Sequence, residues 1–295
     1  MDGSMRGKIV IVTGANSGIG KATAAAIADR GAKVVLACRC RERGEAAICD
    51  LRSQNDRDLE LMRLDLADLD SVRAFADAFT QKFGRLDVLV NNAGILGQRR
   101  TETKQGFESD FGVNYLGHFL LTLLLLPLLE QSGQGRVVMM SSVAHAWGDV
   151  RFDDINFTHH YERFTAYGQS KLCNLLFTRL LAQKLKERGS RVTINAVHPG
   201  IVASNIVVNR KNNMFRWVAW LMRLFFTSCE DGAKTSVFLA CDPSLSGVSG
   251  EYFYRCHIEP TSPASKNMAN AKRLYELSLG FAGLPGDPLK QSFPG

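Results

Sequence analysis

Short apolar runs rich in Val and Ile alternate along this chain with longer stretches of helical periodicity. This alternation indicates β-α-β units and a parallel sheet. Several runs are apolar at successive positions, which is typical of central strands covered by helices on both faces. The predicted strands are Lys8–Val12, Lys33–Ala37, Leu59–Arg63, Leu86–Val90, Arg136–Met140, Arg191–Ala196 and Glu251–Tyr254. The predicted helices are Ile19–Arg30, Glu42–Ser53, Leu69–Phe83, Gly106–Glu130, Phe164–Arg188 and Glu230–Ala240, with a further helical patch near Ala271–Leu279.

The composition is that of a soluble globular protein. The 295 residues are 45% hydrophobic and 22% charged, and α/β folds of this length commonly keep one sheet. Because no linker divides the chain, we expect a single domain over residues 1–295. Lys and Arg exceed Asp and Glu by 36 to 29, but the basic residues are dispersed among acidic ones, so we expect no nucleic-acid binding.

The cysteines and histidines point to neither a disulfide framework nor a metal site. Seven cysteines are scattered without a Cys-x-x-Cys pair, which favours a reducing compartment. His145 and the pair His159–His160 lack further ligands at suitable spacing, and we expect them to be solvated. Cys173 is expected to pack in the core, and no metal is predicted.

No segment is predicted to cross a membrane. The N-terminus has no apolar signal-peptide core. Phe119–Leu129 is too short to span a bilayer, and Phe215–Phe226 is interrupted by Arg216 and Arg223. We therefore expect a cytoplasmic protein, with peripheral membrane contact as a further option discussed below.

A glycine-rich turn from Thr13 to Gly20 follows the first predicted strand. Glycines permit a tight turn and let the backbone approach a pyrophosphate, whose charge meets the free N–H groups at the start of the next helix. The strand before the turn and the helix after it are the context in which this pattern indicates dinucleotide binding. A glycine-rich turn without a ligand is the alternative. The residues expected to hold the pyrophosphate are Gly14, Asn16, Ser17, Gly18, Ile19 and Gly20.

The end of the second predicted strand indicates which dinucleotide binds. NAD-binding folds of this kind carry an acidic residue there for the ribose 2′-hydroxyl, whereas this chain reads Cys38-Arg39-Cys40-Arg41. A guanidinium presents a planar fork of donors that matches phosphate oxygens. Arg39 therefore favours NADP(H) over NAD(H), unless it is only a solvated surface charge.

Further motifs carry a resemblance to a known family. In order, the chain contains Asn91-Asn92-Ala93-Gly94, Asn114, Ser141-Ser142 and Tyr167-Gly168-Gln169-Ser170-Lys171 after the glycine-rich turn. Together with Thr13-Gly14-x-x-x-Gly18-x-Gly20, they resemble the classical short-chain dehydrogenases/reductases over about residues 7–255. The chain looks most like the retinol dehydrogenase branch, through Ser141–His145, Phe164–Asn174, the insertion around Trp217–Phe226 and Ser246–Phe253.

This resemblance implies a Rossmann-like, doubly wound α/β fold. The expected sheet has seven parallel strands in the order 3-2-1-4-5-6-7, helices on both faces, and the dinucleotide across the carboxyl ends of the strands. It implies a core over about 7–255, a substrate-lid insertion over about 205–228 and a C-terminal extension over about 259–295. It also implies cofactor contacts with adenine at Asp65 and Leu66, with the adenosine side at Asn91, Ala93 and Gly94, and with the nicotinamide at Pro199, Gly200, Ile201 and Ser204. Ser204 replaces the usual Thr of the family and keeps its hydroxyl.

The implied catalytic residues are Asn114, Ser142, Tyr167 and Lys171. Reduction of a carbonyl needs a hydride from the cofactor and a proton, for which Tyr167 is the candidate donor. Tyr167 and Lys171 are four residues apart on a helix and share a face. At about 5 Å and an effective dielectric constant near 20, their attraction favours phenolate by roughly 3 kcal/mol, which predicts a phenol pKa lowered by about two units.

The other members of the set have supporting roles. Lys171 would also hold the nicotinamide ribose, Ser142 would hydrogen-bond the substrate oxygen, and Asn114 would position a water that links Lys171 to solvent. Each residue also has an ordinary alternative: Tyr167 as a core aromatic, Ser142 as a cap or turn residue, and Asn114 as a helix N-cap.

Residues 214–226 form an apolar, aromatic segment that in this family covers the substrate cleft. Its composition predicts a bulky lipophilic carbonyl substrate such as a retinoid, a steroid or a long-chain aldehyde. The segment could instead lie on a membrane surface or be an ordinary buried helix. The same segment could cover the substrate cleft and also contact a membrane.

The predicted helix Gly106–Glu130 is apolar almost all round, and Pro127 is expected to kink or end it. Such a helix needs burial on more than one side. In this family it pairs with the helix of Tyr167 across a dyad, so we expect a homodimer unless the C-terminal tail or a membrane covers that face. The predicted function is an NADP(H)-dependent oxidoreductase (EC 1.1.1) that interconverts a bulky lipophilic aldehyde or ketone and its alcohol. The alternative is a catalytically silent NADP(H)-binding sensor or scaffold.

Overall fold

The computed structural model describes residues 4–200 and 228–290. Its strands are β1 (Ile9–Thr13), β2 (Lys33–Cys38), β3 (Leu59–Arg63), β4 (Val88–Asn91), β5 (Arg136–Met140), β6 (Thr193–Val197), β7 (Tyr252–Tyr254) and β8 (His257–Ile258). Its α-helices are α1 (Gly18–Ala28), α2 (Arg41–Gln54), α3 (Leu69–Phe83), α4 (Gly117–Gln131), α5 (Arg163–Glu187), α6 (Cys229–Cys241) and α7 (Met268–Phe281). Every predicted strand and helix within the described residues is present, with boundaries shifted by a few residues.

The strands form one sheet in the order β3-β2-β1-β4-β5-β6-β7-β8. All neighbours from β3 to β7 are parallel, so the predicted doubly wound sheet and its order are confirmed. The sequence did not predict β8, a two-residue strand that pairs antiparallel with β7 at the sheet edge. A strand this short carries too little periodicity to be recognised.

Helices cover both faces of the sheet, which explains why the strands are apolar at successive positions. Ile11, Leu89 and Val137 face one core together with α3, α4, α5 and α7. Their neighbours Val12 and Val88 face the second core together with α1, α2 and α6. Successive side chains of a strand point to opposite faces, so a central strand needs apolar residues at both.

The predicted helix Gly106–Glu130 differs from the structure at both ends. It begins with a π-helical turn, Phe111–Leu116, that runs into α4. Pro127 lies inside α4, which continues to Gln131. Of the two expected outcomes, a kink or an end of the helix at Pro127, the end is therefore wrong.

This helix is also the one described stretch that is long and apolar enough to cross a membrane. Phe111–Gln131 has a mean hydropathy of 1.7, but 83% of the apolar window is buried inside the protein. Its apolar side chains pack in the core of the sheet, which accounts for its hydropathy.

The C-terminal helix α7 packs on α4 and α5, the two helices from which the sequence predicted a homodimer. Tyr275 of α7 packs its ring against Phe119 of α4 at 5.4 Å and against Phe177 of α5 at 6.5 Å. Tyr115 and Ser278 exchange a buried hydrogen bond of 2.8 Å. The C-terminal tail therefore supplies the burial that the apolar helix needs. A tail in this position was the condition under which no homodimer was expected.

We expect Leu274→Ala to destabilise the protein by about 3 kcal/mol, because Leu274 of α7 is 1% exposed within this core and truncation leaves a cavity. Urea unfolding measures the change. The control is Glu276→Ala on the exposed side of the same helix, which we expect to change stability by less than about 0.5 kcal/mol. Equal effects of the two variants would show that α7 is not part of the core.

Candidate active site

The carboxyl ends of β1, β4, β5 and β6 meet at one edge of the sheet. β1 lies between β2 and β4, so the chain reverses its direction of winding there, and ligands of open α/β sheets bind at this switch point. The glycine-rich turn follows β1, and Asn91-Asn92-Ala93-Gly94 follows β4. Ser141 and Ser142 follow β5.

The glycine-rich turn fits a dinucleotide pyrophosphate. Gly18 has a φ of +56° at the start of α1, a conformation that favours glycine. A Cβ on Gly20 would lie 2.6 Å from the carbonyl oxygen of Gly14 and 2.4 Å from Nδ2 of Asn92, so only glycine allows this approach. The first turn of α1 carries no acidic residue, and the Ser17 side chain makes no capping hydrogen bond. The N–H groups of the first turn of α1 are therefore directed at a position suited to an anion.

Thr13, which sequence reasoning did not assign a role, ties the two loops together. Its hydroxyl accepts the N–H groups of Asn92 and Ala93, each at 2.9 Å, and lies 2.9 Å from Nε2 of His118. The amide of Asn92 donates to the Thr13 carbonyl at 2.9 Å. The loop after β4 is thus held against the glycine-rich turn by hydrogen bonds that only the folded sheet creates.

The side chain of Asn91 is buried at the end of β4. It is 1% exposed, and its amide donates to Thr122 of α4 at 2.8 Å. The implied contact of Asn91 with the adenosine side of the cofactor stays a prediction.

The residues expected around the adenosine lie at the same edge. Arg39 is exposed directly after β2, and Asp65 and Leu66 follow β3. A cavity of about 420 Å³ lies between the glycine-rich turn and α2, lined by Asn16, Ser17, Lys21, Arg43, Ala46 and Ala47. Arg43 and Lys21 are basic residues that the sequence analysis did not single out, because their proximity depends on how α2 packs against the turn.

Ser142, Tyr167 and Lys171 come together at the end of β5. The Ser142 hydroxyl lies beside the Tyr167 phenol and lowers its pKa as a hydrogen-bonding group. Nζ of Lys171 lies 5.3 Å from the centre of the Tyr167 ring and donates to the Met140 carbonyl at 3.3 Å. Ser141 donates to the Lys171 carbonyl at 2.9 Å, which fixes α5 against β5.

Burial dominates the ionisation of this pair. It raises the pKa of Tyr167 to about 12, against the lowering effect of the Ser142 hydrogen bond. It lowers the pKa of Lys171 to about 8. The predicted lowering of the phenol pKa is therefore wrong, because the sequence argument counted the attraction between the two charges and left out desolvation.

Asn114 lies between the loop after β4 and α5. Its Oδ1 accepts the N–H of Ile95 at 2.7 Å, and its Nδ2 donates to the Ile95 carbonyl at 2.9 Å and to Ser170 at 3.0 Å. Its own carbonyl oxygen lies 3.1 Å from Nδ1 of His118. The side chain is therefore fully used in holding the loop, and the predicted N-cap alternative does not apply, since Asn114 lies inside the π-helical turn.

Two other sequence expectations have different outcomes. Cys173 is fully buried, and burial raises its thiol pKa, so its role in packing is confirmed. His145 was expected at the solvated surface but is 4% exposed. Its Nδ1 lies 2.6 Å from the Ser142 carbonyl, and Ser262 donates to its Nε2 at 3.4 Å. His159, in contrast, is exposed and pairs with Asp154.

The residues expected at the nicotinamide are described only in part. Pro199 and Gly200 follow β6 at the same edge, and the Gly200 N–H donates to Nδ1 of His198 at 3.2 Å. Ile201, Ser204 and the segment 214–226 lie outside the described residues. Their predicted roles remain predictions.

Comparison with known proteins identifies the class. A short chain dehydrogenase family model matches residues 8–214. Mouse retinol dehydrogenase 14 is 43% identical over 298 residues, which covers 96% of this chain and 88% of that protein. Human retinol dehydrogenase 11 is 44% identical over 95% of this chain and 87% of its own length. The solved structure of an uncharacterized protein from Mycobacterium paratuberculosis has a TM-score of 0.77 and 36% identity over 94% of each chain.

The chain therefore belongs to the short chain dehydrogenase family, whose members are oxidoreductases that use nicotinamide cofactors. Within that family it lies in the retinol dehydrogenase-like branch. The resemblance inferred from the glycine-rich turn and the Tyr-x-x-x-Lys motif is confirmed.

We expect Asn114→Ala to lower the free energy of unfolding by about 1–3 kcal/mol, because it removes the hydrogen bonds by which Asn114 holds the Ile95 backbone and the buried Ser170 hydroxyl. Urea unfolding measures this loss. Gln183→Ala removes an exposed amide from α5 and is the control, with a change expected below about 0.5 kcal/mol. Unchanged stability of Asn114→Ala would refute its role in holding the loop.

Proposed function

We propose that this protein is an NADP(H)-dependent oxidoreductase that interconverts a bulky lipophilic aldehyde or ketone and its alcohol, with retinoids as the first candidates. The observation that carries the proposal is the meeting of Tyr167, Ser142 and the buried Lys171 at the switch point. The retinol dehydrogenases that the chain resembles supply the substrate class.

The chain's own residues have distinct tasks in this mechanism. The nicotinamide, when bound, supplies or accepts the hydride. Because its pKa is about 12, Tyr167 carries its proton at neutral pH and can give it to a carbonyl oxygen. The Ser142 hydroxyl lies beside that phenol and is placed to contact the same oxygen. Lys171, with a pKa of about 8, is mostly an ammonium at neutral pH and balances negative charge on the phenol.

Asn114, Ser142, Tyr167 and Lys171 form the catalytic tetrad of this proposal. The surface beside this tetrad supports a lipophilic substrate. Val143, Trp147 and Phe164 are 43%, 55% and 51% exposed, and Trp147 donates to the Phe164 carbonyl at 3.3 Å. Val143 follows Ser142 directly, and Phe164 precedes Tyr167 by three residues on α5. Large apolar side chains at the mouth of a polar site favour a substrate with an extended apolar body.

The remaining parts of the proposal concern organisation and location. A single domain is supported by one sheet that carries all the described strands and by the packing of α7 on α4 and α5. We propose a cytoplasmic location, with residues 214–226 as a peripheral membrane contact. The predicted homodimer stays a prediction, and α7 covers the face from which it was inferred.

We expect Tyr167→Phe to lower the rate of carbonyl reduction by a factor of about 100 or more, because the proton donor is removed. NADPH oxidation with all-trans-retinal and with decanal measures the rate, and NADPH fluorescence shows whether the cofactor still binds. Tyr254→Phe, which changes a tyrosine of β7 outside the tetrad, serves as the control with unchanged rate. Full activity of Tyr167→Phe would refute the mechanism, and no turnover of either aldehyde by the wild-type protein would favour the silent sensor or scaffold.

We expect Arg39→Asp to weaken NADPH binding by roughly 10- to 100-fold and NADH binding little, because charge-assisted hydrogen bonds to the 2′-phosphate are lost. Isothermal titration with each cofactor measures both affinities. Arg41→Asp makes the same charge change two residues away, where Arg41 pairs with Glu45, and should have a smaller effect. If Arg39→Asp weakens the two cofactors equally, Arg39 does not select NADP(H).

A further inference from the structure

Asp110 is a buried acid that neither the sequence motifs nor the mechanism above uses. It directly precedes the π-helical turn and is 0% exposed. Its Oδ1 accepts the N–H of Gly97 at 2.9 Å, and its Oδ2 has no hydrogen-bond partner among the described residues. A buried carboxylate with one oxygen unpaired is costly unless a nearby charge compensates it.

The compensating charge comes from Lys171 of α5. Asp110 and Asn114 are four residues apart, one turn along the same helical face. Oδ1 of Asn114 and Nζ of Lys171 lie 3.2 and 3.4 Å from the point where a Cβ on Gly94 would be. Asn114 and Lys171 therefore meet beside Gly94. Asp110 and Asn114 hold the same loop, Asp110 through the N–H of Gly97 and Asn114 through the backbone of Ile95. Lys171 favours the ionised form of Asp110, and Asp110 favours the ionised form of Lys171.

Several other titratable groups surround Asp110. Glu108 in the same segment opposes its ionisation, whereas Arg163 at the start of α5 favours it. The ionised Asp110 in turn disfavours ionisation of Tyr161 and Tyr167. Burial and Glu108 together raise the pKa of Asp110 to about 7. Its charge therefore changes within the pH range in which a cytoplasmic enzyme works.

We propose that the Asp110 carboxylate is a positioning residue that keeps Lys171 protonated and so sets the upper pH limit of carbonyl reduction. This inference rests on the proposed function of the tetrad. Burial lowers the pKa of Lys171, and among the described residues Asp110 is the charged group that raises it. Tyr167 keeps its proton over the same range, so Lys171 is the tetrad member that titrates on the alkaline side.

The test is the pH profile of all-trans-retinal reduction by Asp110→Asn with NADPH between pH 6 and pH 9. Asparagine keeps the shape and the acceptor for Gly97 but removes the charge. At pH 6 the wild-type carboxyl is already protonated, so the two proteins should have equal rates. Above pH 7 the variant lacks the charge, and its alkaline limb should move about one unit to lower pH, which makes its rate at pH 9 about tenfold lower than that of the wild type.

Glu108→Gln is the matched control. It removes another fully buried carboxylate from the same segment, where Glu108 accepts the N–H groups of Asp110 and Phe111 at 2.9 Å each. Asp110 still ionises in this variant, so the alkaline limb should remain at the wild-type position. A similar shift in Glu108→Gln, equal profiles of Asp110→Asn and wild type, or a rate of Asp110→Asn reduced by one factor at every pH would each overturn the proposal.

A measurement without substrate separates this inference from the proposed function. A carboxyl with a raised pKa destabilises the folded state as pH rises from its unfolded value of 3.8 through about 7. The Tm of Asp110→Asn relative to wild type should therefore rise by several degrees between pH 5 and pH 9. A constant difference would show that Asp110 does not titrate in this range. Should Asp110→Asn fail to fold, Asp110→Ser replaces it in both the pH profile and the Tm comparison. Absence of wild-type turnover would refute the proposed function and leave this titration testable.

Discussion

The buried ammonium of Lys171 is the group on which the arrangement of the site depends. It is 2% exposed, so fixed polar groups must replace the water that it loses. The Met140 carbonyl of β5, the Tyr167 ring of α5 and the charge of Asp110 before α4 supply this replacement. Because the Met140 carbonyl and Asp110 lie outside α5, a shift of α5 along the sheet would move Lys171 away from both. The Ser141 hydrogen bond to the Lys171 backbone holds the same register.

The sheet order and the site residues were implied by the resemblance to the short-chain dehydrogenases/reductases. The strands, the helices and the motifs that carry this resemblance follow from local signals: glycine at fixed offsets in Thr13–Gly20, apolar periodicity, and the four-residue spacing of Tyr167 and Lys171. The sequence did not predict the buried partners of side chains at the ends of strands. The Asn91 amide donates to Thr122, a residue of a helix some thirty positions further on, and no local pattern encodes that pairing.

The ionisation of the site shows a second limit of sequence reasoning. Helical spacing correctly placed Lys171 beside Tyr167, since geometry along one helix is local. It gave the direction of the Tyr167 pKa shift wrongly, since desolvation depends on every element packed around the phenol. The same reason hid Asp110, which is an ordinary acid in the sequence. It becomes a titrating group near neutral pH only where Glu108, Lys171 and a buried environment coincide.

The C-terminal extension reaches the site through His145. Nδ1 of this ring must carry a proton to donate to the Ser142 carbonyl, and Nε2 must be bare to accept the N–H of Ser262. Both bonds together require the neutral imidazole with its proton on Nδ1. Burial favours that form by lowering the His145 pKa. The loop that carries Ser142 is therefore held from both sides, by β5 within the sheet and by the segment that leads into α7, so the extension that covers α4 and α5 also orders the residue beside the catalytic phenol.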